Sequence, residues 1–143
     1  MLGVHPESLD WRVMGARFTE LVIDCHDPER VAEFWAAVLD YTVLERGPEG
    51  EVEIGPTPRG SAPTLVFVRV PEDKSVKNRI HIDVNPTDTD QSNELRRLLR
   101  LGARRVDVGQ SNDVSWIVLA DVEDNEFCLL RGRVESLSAL TSG

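Results

Sequence analysis

The stretch "KNRIHIDVN", Lys77 to Asn85, holds the side chains best placed for chemistry. In an extended strand successive side chains alternate, so Arg79, His81, Asp83 and Asn85 share one face while Ile80, Ile82 and Val84 share the other. Asp83 lies about 7 Å along the strand from His81. It could serve as a base beside that imidazole, or as the acceptor that orients the ring. The plainer alternative is an Arg79–Asp83 ion pair across the face, a contact of little energy when exposed. The strand alone does not say whether this polar face is a solvated surface or the wall of a site.

Other chemistries have no foothold. The chain has no CxxC, no HExxH, no GxSxG and no glycine-rich phosphate loop after a strand. Twenty-five acidic against 16 basic residues give a net charge of −9, which disfavours nucleic acid and anionic membranes as partners. Apolar runs such as "TLVFV" are far shorter than the roughly 20 residues of a membrane span, and no basic and apolar leader opens the chain. Two cysteines, Cys25 and Cys128, without a secretion signal are expected to be reduced thiols, and the expected location is cytoplasmic.

The elements that must position the polar face follow from periodicity. Residues 1–16 form an arm with no sustained period, which Trp11 could anchor; His5 in it earns no role, and His26 belongs to an exposed loop. "RFTELVID" reads as a strand with Leu21, Ile23 and Cys25 on one face and Phe18, Glu20, Val22 and Asp24 on the other. Asp27 then predicts an N-cap with Pro28 at the first helical position, and Val31, Phe34, Trp35, Val38 and Leu39 form the buried helical face. Strands are expected around 42–45, 51–54 and 64–70, giving a first module over 17–70. A solvated linker over 71–78, carrying both lysines, leads to a second module over 79–131. There the strand "RIHIDV" is followed by a capping box from Asp88 to Gln91, a helix burying Leu95, Leu98 and Leu99, Gly102 past its end, and strands near 104–108, 115–120 and 126–130. Residues 132–143 are a tail.

The two halves repeat one order of elements, which says more than any single motif. Laying "ELVIDCHDPERVAEF" over "HIDVNPTDTDQSNEL" sets Glu20 on His81, Asp27 on Asp88 and Phe34 on Leu95. The expected fold class is α+β, two βαβββ modules forming a curled mixed sheet with an open cleft. A helix covers the apolar face of each sheet, so Leu21, Ile23, Ile80 and Ile82 belong under helices, and Glu20 and His81 face the cleft, where one sheet can close on the other.

With "IDCHDPERVAEFWAAVLDY", "VPEDKSVKNRIHIDV" and "DVEDNEFCLL" in this order, the chain resembles the vicinal oxygen chelate superfamily, and within it the glyoxalase-like, bleomycin-resistance branch, from about Arg17 to Arg131. The resemblance implies a cleft often completed in a homodimer, with metal-dependent enzymes and metal-free drug-binding proteins both represented. In metal-using members one ligand comes from the first and one from the last strand of each module. Carried over, those positions are Glu20 and His81 on the first strands, Val68 on the last strand of the first module, and Cys128 on the last strand of the second, with Glu126 two residues earlier. His81 and Glu20 with Cys128 make a set suited to zinc; with Glu126 they make a histidine and two carboxylates. A divalent ion (Zn, Fe, Mn or Ni) would chelate adjacent oxygens of a small-molecule ligand and stabilise an enolate, with Asp83 as the catalytic base of a lyase, isomerase or dioxygenase. Without a metal the same cleft is a drug- or metabolite-binding pocket, walled by Phe18, Phe67 and Trp116 with Arg79 at its rim. A third alternative is an interaction module whose cleft has decayed.

Overall fold

The structure, a computed structural model, describes Arg12 and residues 15–140; the expectations for His5 and Trp11 lie outside the described residues. The first module runs β1 (Glu20–Cys25), α1 (Pro28–Leu39), β2 (Thr42–Arg46), β3 (Val52–Gly55) and β4 (Thr64–Arg69). The second runs β5 (Asp83–Val84), α2 (Gln91–Leu101), β6 (Arg104–Arg105), β7 (Ile117–Ala120) and β8 (Glu126–Leu129), followed by a short α3 (Leu137–Leu140). Each module makes one four-stranded sheet, in the order β1-β4-β3-β2 and β5-β8-β7-β6, with its first and last strands parallel. The α+β architecture of two βαβββ modules is thus present.

Local chemistry accounts for the helix ends. Asp27 caps α1, its carboxylate accepting from the Arg30 N–H at 3.3 Å, with Pro28 in the first turn. In α2 the cap is Asp90, accepting from the Asn93 N–H at 2.8 Å, not Asp88; the helix begins two residues later than the capping-box spacing suggests. Gly102 closes α2 at φ 117°, a left-handed conformation that glycine adopts without a steric penalty.

The helix-covered sides of the two modules merge into one shared core, in which Val31, Phe34 and Trp35 of α1 join Leu98 of α2 and Phe127 of β8. Trp35 and Phe127 stack edge to face with centroids 4.9 Å apart, and Phe34 meets Phe127 at 6.1 Å; such pairs contribute about 0.5–1.5 kcal/mol each beyond area burial. Trp35 Nε1 donates to the buried Asp121 carboxylate at 2.9 Å, and Asp121 also accepts from the backbone N–H groups of Glu123 and Asn125. Arg97 of α2 donates to the carbonyls of Ala37 and Val38 at the end of α1. Both uncovered sheet faces consequently remain open.

The edge near the linker corrects two more expectations. The strand anticipated from Arg79 is ordered as β only over Asp83–Val84. Upstream, the Asn78 N–H goes to Glu126 Oε2 at 3.0 Å, which draws the chain off the line of β8, and the Ile82 carbonyl accepting from Cys128 N at 3.0 Å is the first ladder bond to β8. Ile82 and Val84 still pack against the core, whereas Ile80 is 75% exposed. Leu99 is also exposed, while Leu95 and Leu98 face inward.

Candidate functional site

Register decides which side chains share the open faces. In the first sheet β1 and β4 pair Glu20 with Thr64, Val22 with Val66 and Asp24 with Val68. In the second, Asp83 pairs with Cys128, and Cys128 with Val118 on β7. His81 lies two residues before β5 and still reaches Asp83, its ring nitrogen 2.8 Å from Oδ1. One ligand atom each from His81, Asp83 and Cys128 lies within 4.8 Å of the other two.

These three line a cavity of about 290 Å³ on the open face of the second module, with Val108, Trp116, Val118 and Leu130 as its apolar wall and Lys77 and Glu126 at its edge. Val118, Glu126, Cys128 and Leu130 alternate along their strands, as a single sheet face requires. Val108 and Trp116 come from the segment between β6 and β7, and sequence alternation alone did not mark Val108.

The polar groups form a small network. His81 Nδ1 and Asp83 Oδ1 are 2.8 Å apart; facing a carboxylate, that nitrogen carries the proton and donates. Asp83 therefore pairs with His81 rather than with Arg79, which is exposed. Burial raises the Cys128 thiol, and the neighbouring Asp83 charge and hydrogen bond raise it further, so by itself the sulfur holds its proton. Cys25, on the helix-covered face, is pushed up to about 12 by burial together with the charges of Glu123 and Asp27, as befits an inert core thiol.

The remaining expected site residues are dispersed. Glu20 and Phe18 line a separate polar cavity of about 550 Å³ with Arg17, Glu53 and Arg59, away from the His81 cluster. Glu126 is committed to the linker: Lys74 Nζ donates to Oε1 at 2.8 Å and the Asn78 N–H to Oε2. Burial works to raise its carboxyl, but these contacts outweigh it and the group sits below the ordinary carboxylate range. The linker is thus tied down at this point rather than solvated throughout. Phe67 does not belong to any cleft. Paired with Ile23, it lies on the helix-covered face and is fully buried in the core. Trp116 is 41% exposed and does line the cavity.

The donors present suit a divalent ion. An imidazole, a carboxylate and a thiol with ligand atoms within 4.8 Å of one another at the cavity wall would supply three protein ligands, the number that catalytic zinc sites use.

The layout of paired modules with one donor-lined face defines a class, and comparison with known proteins identifies it. A glyoxalase-like domain profile matches residues 20–130, so the chain belongs to the glyoxalase-like domain family of the vicinal oxygen chelate superfamily. It is similar in structure to the fosfomycin resistance protein FosX from Mesorhizobium loti (16% identity, 91% of this chain and 100% of that chain, TM-score 0.63). It is also similar to a variant of FosX from Listeria monocytogenes complexed with manganese(II) and 1S,2S-dihydroxypropylphosphonic acid (12% identity, 90% and 99%, TM-score 0.64). A third likeness is a glyoxalase/bleomycin resistance protein/dioxygenase family enzyme from Burkholderia phytofirmans (17% identity, 80% and 97%, TM-score 0.59). At these identities the likeness shows the fold. No curated protein sequence matches the chain. Among the described residues no helix is long and apolar enough to cross a membrane.

Proposed function

We propose that the protein binds a small oxygenated molecule in the cavity on the open face of its second module, with its polar end toward His81 and Asp83 and its apolar part against Val108, Trp116, Val118 and Leu130. One observation carries this reading: the donor cluster and the aromatic wall line the same cavity. A volume of about 290 Å³ lies at the low end of ligand pockets, which suits a metabolite of few heavy atoms. Lys77 at the edge can meet an anionic group. A divalent cation held by the cluster would supply Lewis-acid stabilisation of an enolate or related anion, the chemistry of the superfamily's lyases, isomerases and dioxygenases. The chain's own residues orient the ligand, with Trp116 and Val108 keeping water from its apolar side.

A metal-free pocket is the second reading, favoured by the His81–Asp83 hydrogen bond at 2.8 Å, which pairs the two groups without a cation. A homodimer fits either reading. Val22, 52% exposed on the open face of the first sheet, offers an apolar contact for a second copy. Two free buried thiols suit the reducing cytoplasm.

The test is binding of dihydroxypropylphosphonic acid and of pyruvate, followed by calorimetry on protein purified without chelators, with metal content measured in the same sample. Binding by the wild type that is lost in His81→Ala and weakened in Trp116→Ala is expected. Binding unaffected by both substitutions would remove this cavity from consideration. Binding without stoichiometric metal, even after reloading, selects the metal-free reading.

A further inference from the structure

We propose that His81, Asp83 and Cys128 form a zinc site with a thiolate ligand, contained within the second module, in which Asp83 is a ligand rather than the base. The inference rests on the functional reading of this cavity and concerns which atoms hold the ion and which ion they select.

The superfamily resemblance divides the ligands between first and last strands of both modules, and this chain does not keep that division. The first-module partners at the matching register are Val22 and Val66, which offer no donor. Glu20 lines another cavity, and both oxygens of Glu126 are taken by Lys74 and the Asn78 N–H. Three donors remain. Asp83 and Cys128 are register partners on adjacent parallel strands, the closest placement a sheet gives to two side chains on one face, and His81 precedes Asp83 by two residues. The Asp83 carboxylate is hydrogen-bonded to His81 Nδ1 at 2.8 Å, and one ligand atom each of His81, Asp83 and Cys128 lies within 4.8 Å of the other two, close enough for one dication to join all three. On binding, the thiol proton leaves to solvent, the imidazole proton moves from Nδ1 to Nε2, and the thiolate, Nδ1 and a carboxylate oxygen coordinate. No electron transfer is involved. A fourth ligand would be water or the bound small molecule, since the three residues line the cavity.

The sulfur sets the selectivity. Thiolate favours zinc and cobalt(II), whereas manganese(II) favours oxygen donors and follows well behind in the general affinity order of divalent metals.

The experiment uses the full chain, stripped with a chelator and reloaded with cobalt(II), zinc(II) or manganese(II). Cobalt should bind at one equivalent with a near-ultraviolet sulfur-to-metal charge-transfer band, zinc should abolish the band, and equimolar manganese should leave it. Cys128→Ser should lose the band, and Asp83→Asn should weaken zinc by at least about tenfold, the scale at which even residues outside the ligand set matter. Glu20→Gln and Glu126→Gln should leave the band in place. Stoichiometric cobalt without the band, or displacement of zinc by manganese, would overturn the thiolate site while leaving a metal-using pocket standing. Undiminished zinc affinity in Asp83→Asn would remove Asp83 from the ligand set. Failure to bind any of the three ions would overturn the inference together with the metal-dependent reading, and the ligand titrations would then decide the metal-free one. The wild-type band requires no variant to fold.

Discussion

The two sheets of this protein are built to one plan and differ where it matters. At equivalent register the first presents Val22 beside Val66 and the second presents Asp83 beside Cys128. Their helix-covered sides, by contrast, are alike enough to fuse into a single core. A duplicated fold thus keeps both copies of its interior, because both are needed to bury one hydrophobic volume, while its open faces are free to differ: at the equivalent positions one carries two valines, the other a donor pair. The family match and the relatives' shared fold fit this division, since a fold persists through its core and chemistry through a few exposed positions.

Matched substitutions across the modules can break this comparison. The largest effects belong in the shared core. Phe67→Ala in the first module and Phe127→Ala in the second should each cost about 3–5 kcal/mol in denaturant unfolding, with the two modules melting together. Two separate transitions would show that the core is not shared. The donor clusters come next. His81→Ala should reduce metal affinity by on the order of a hundredfold or more, beyond the 10–100-fold typical of outer-shell changes, while Glu20→Ala changes the monomer's affinity little; isothermal titration with zinc separates them.

The helix caps give a smaller paired effect. Asp90→Ala should cost about 1 kcal/mol and Asp27→Ala somewhat less, because the Asp90 cap bond is 2.8 Å and that of Asp27 is 3.3 Å; thermal melts can rank them. Glu126 adds a pH dependence confined to the second module. Its carboxyl is lowered in the folded state by Lys74 and Asn78 despite opposing burial, so its stabilisation is fully present above the ordinary carboxylate range and is lost as pH falls through the lowered folded value. Relative to wild type, Glu126→Gln should cost about 1 kcal/mol at neutral pH and nothing in strong acid. Smallest of all, Val22→Ser on the open first sheet should stay within about 0.5 kcal/mol in the monomer; a larger loss that depends on protein concentration would reveal a partner on that face.

Much of the plan was legible in the letters. The α1 cap came from Asp27–Pro28, its core from Val31, Phe34, Trp35 and Val38, and the order of elements from the repeat, because periodicity and capping are local properties that each segment expresses by itself. His81 stood out for the same reason, as a donor on a stretch with a definite polar face, whereas Cys128 was marked only by the resemblance to a known family. Phe67 was misread because choosing between the two faces of β4 requires its register against β1, which the pairing of Ile23 with Phe67 supplies. Asp88 and Asp90 offered two caps, and the choice fell to the residue whose carboxylate reaches an N–H.

What only the tertiary structure decided is which residues meet. By itself the sequence determined two βαβββ modules, their buried helix faces and a polar stretch around His81 and Asp83. It did not determine that the modules would sit side by side through one core, that Glu126 would be claimed by Lys74 and Asn78, or that Asp83 would lie between His81 and Cys128. Those outcomes depend on strand register and on contacts between residues 45 or more positions apart, such as Asp83 with Cys128 and Trp35 with Asp121. No local pattern records such distances, because pairing across a sheet is settled by the packing of the whole core.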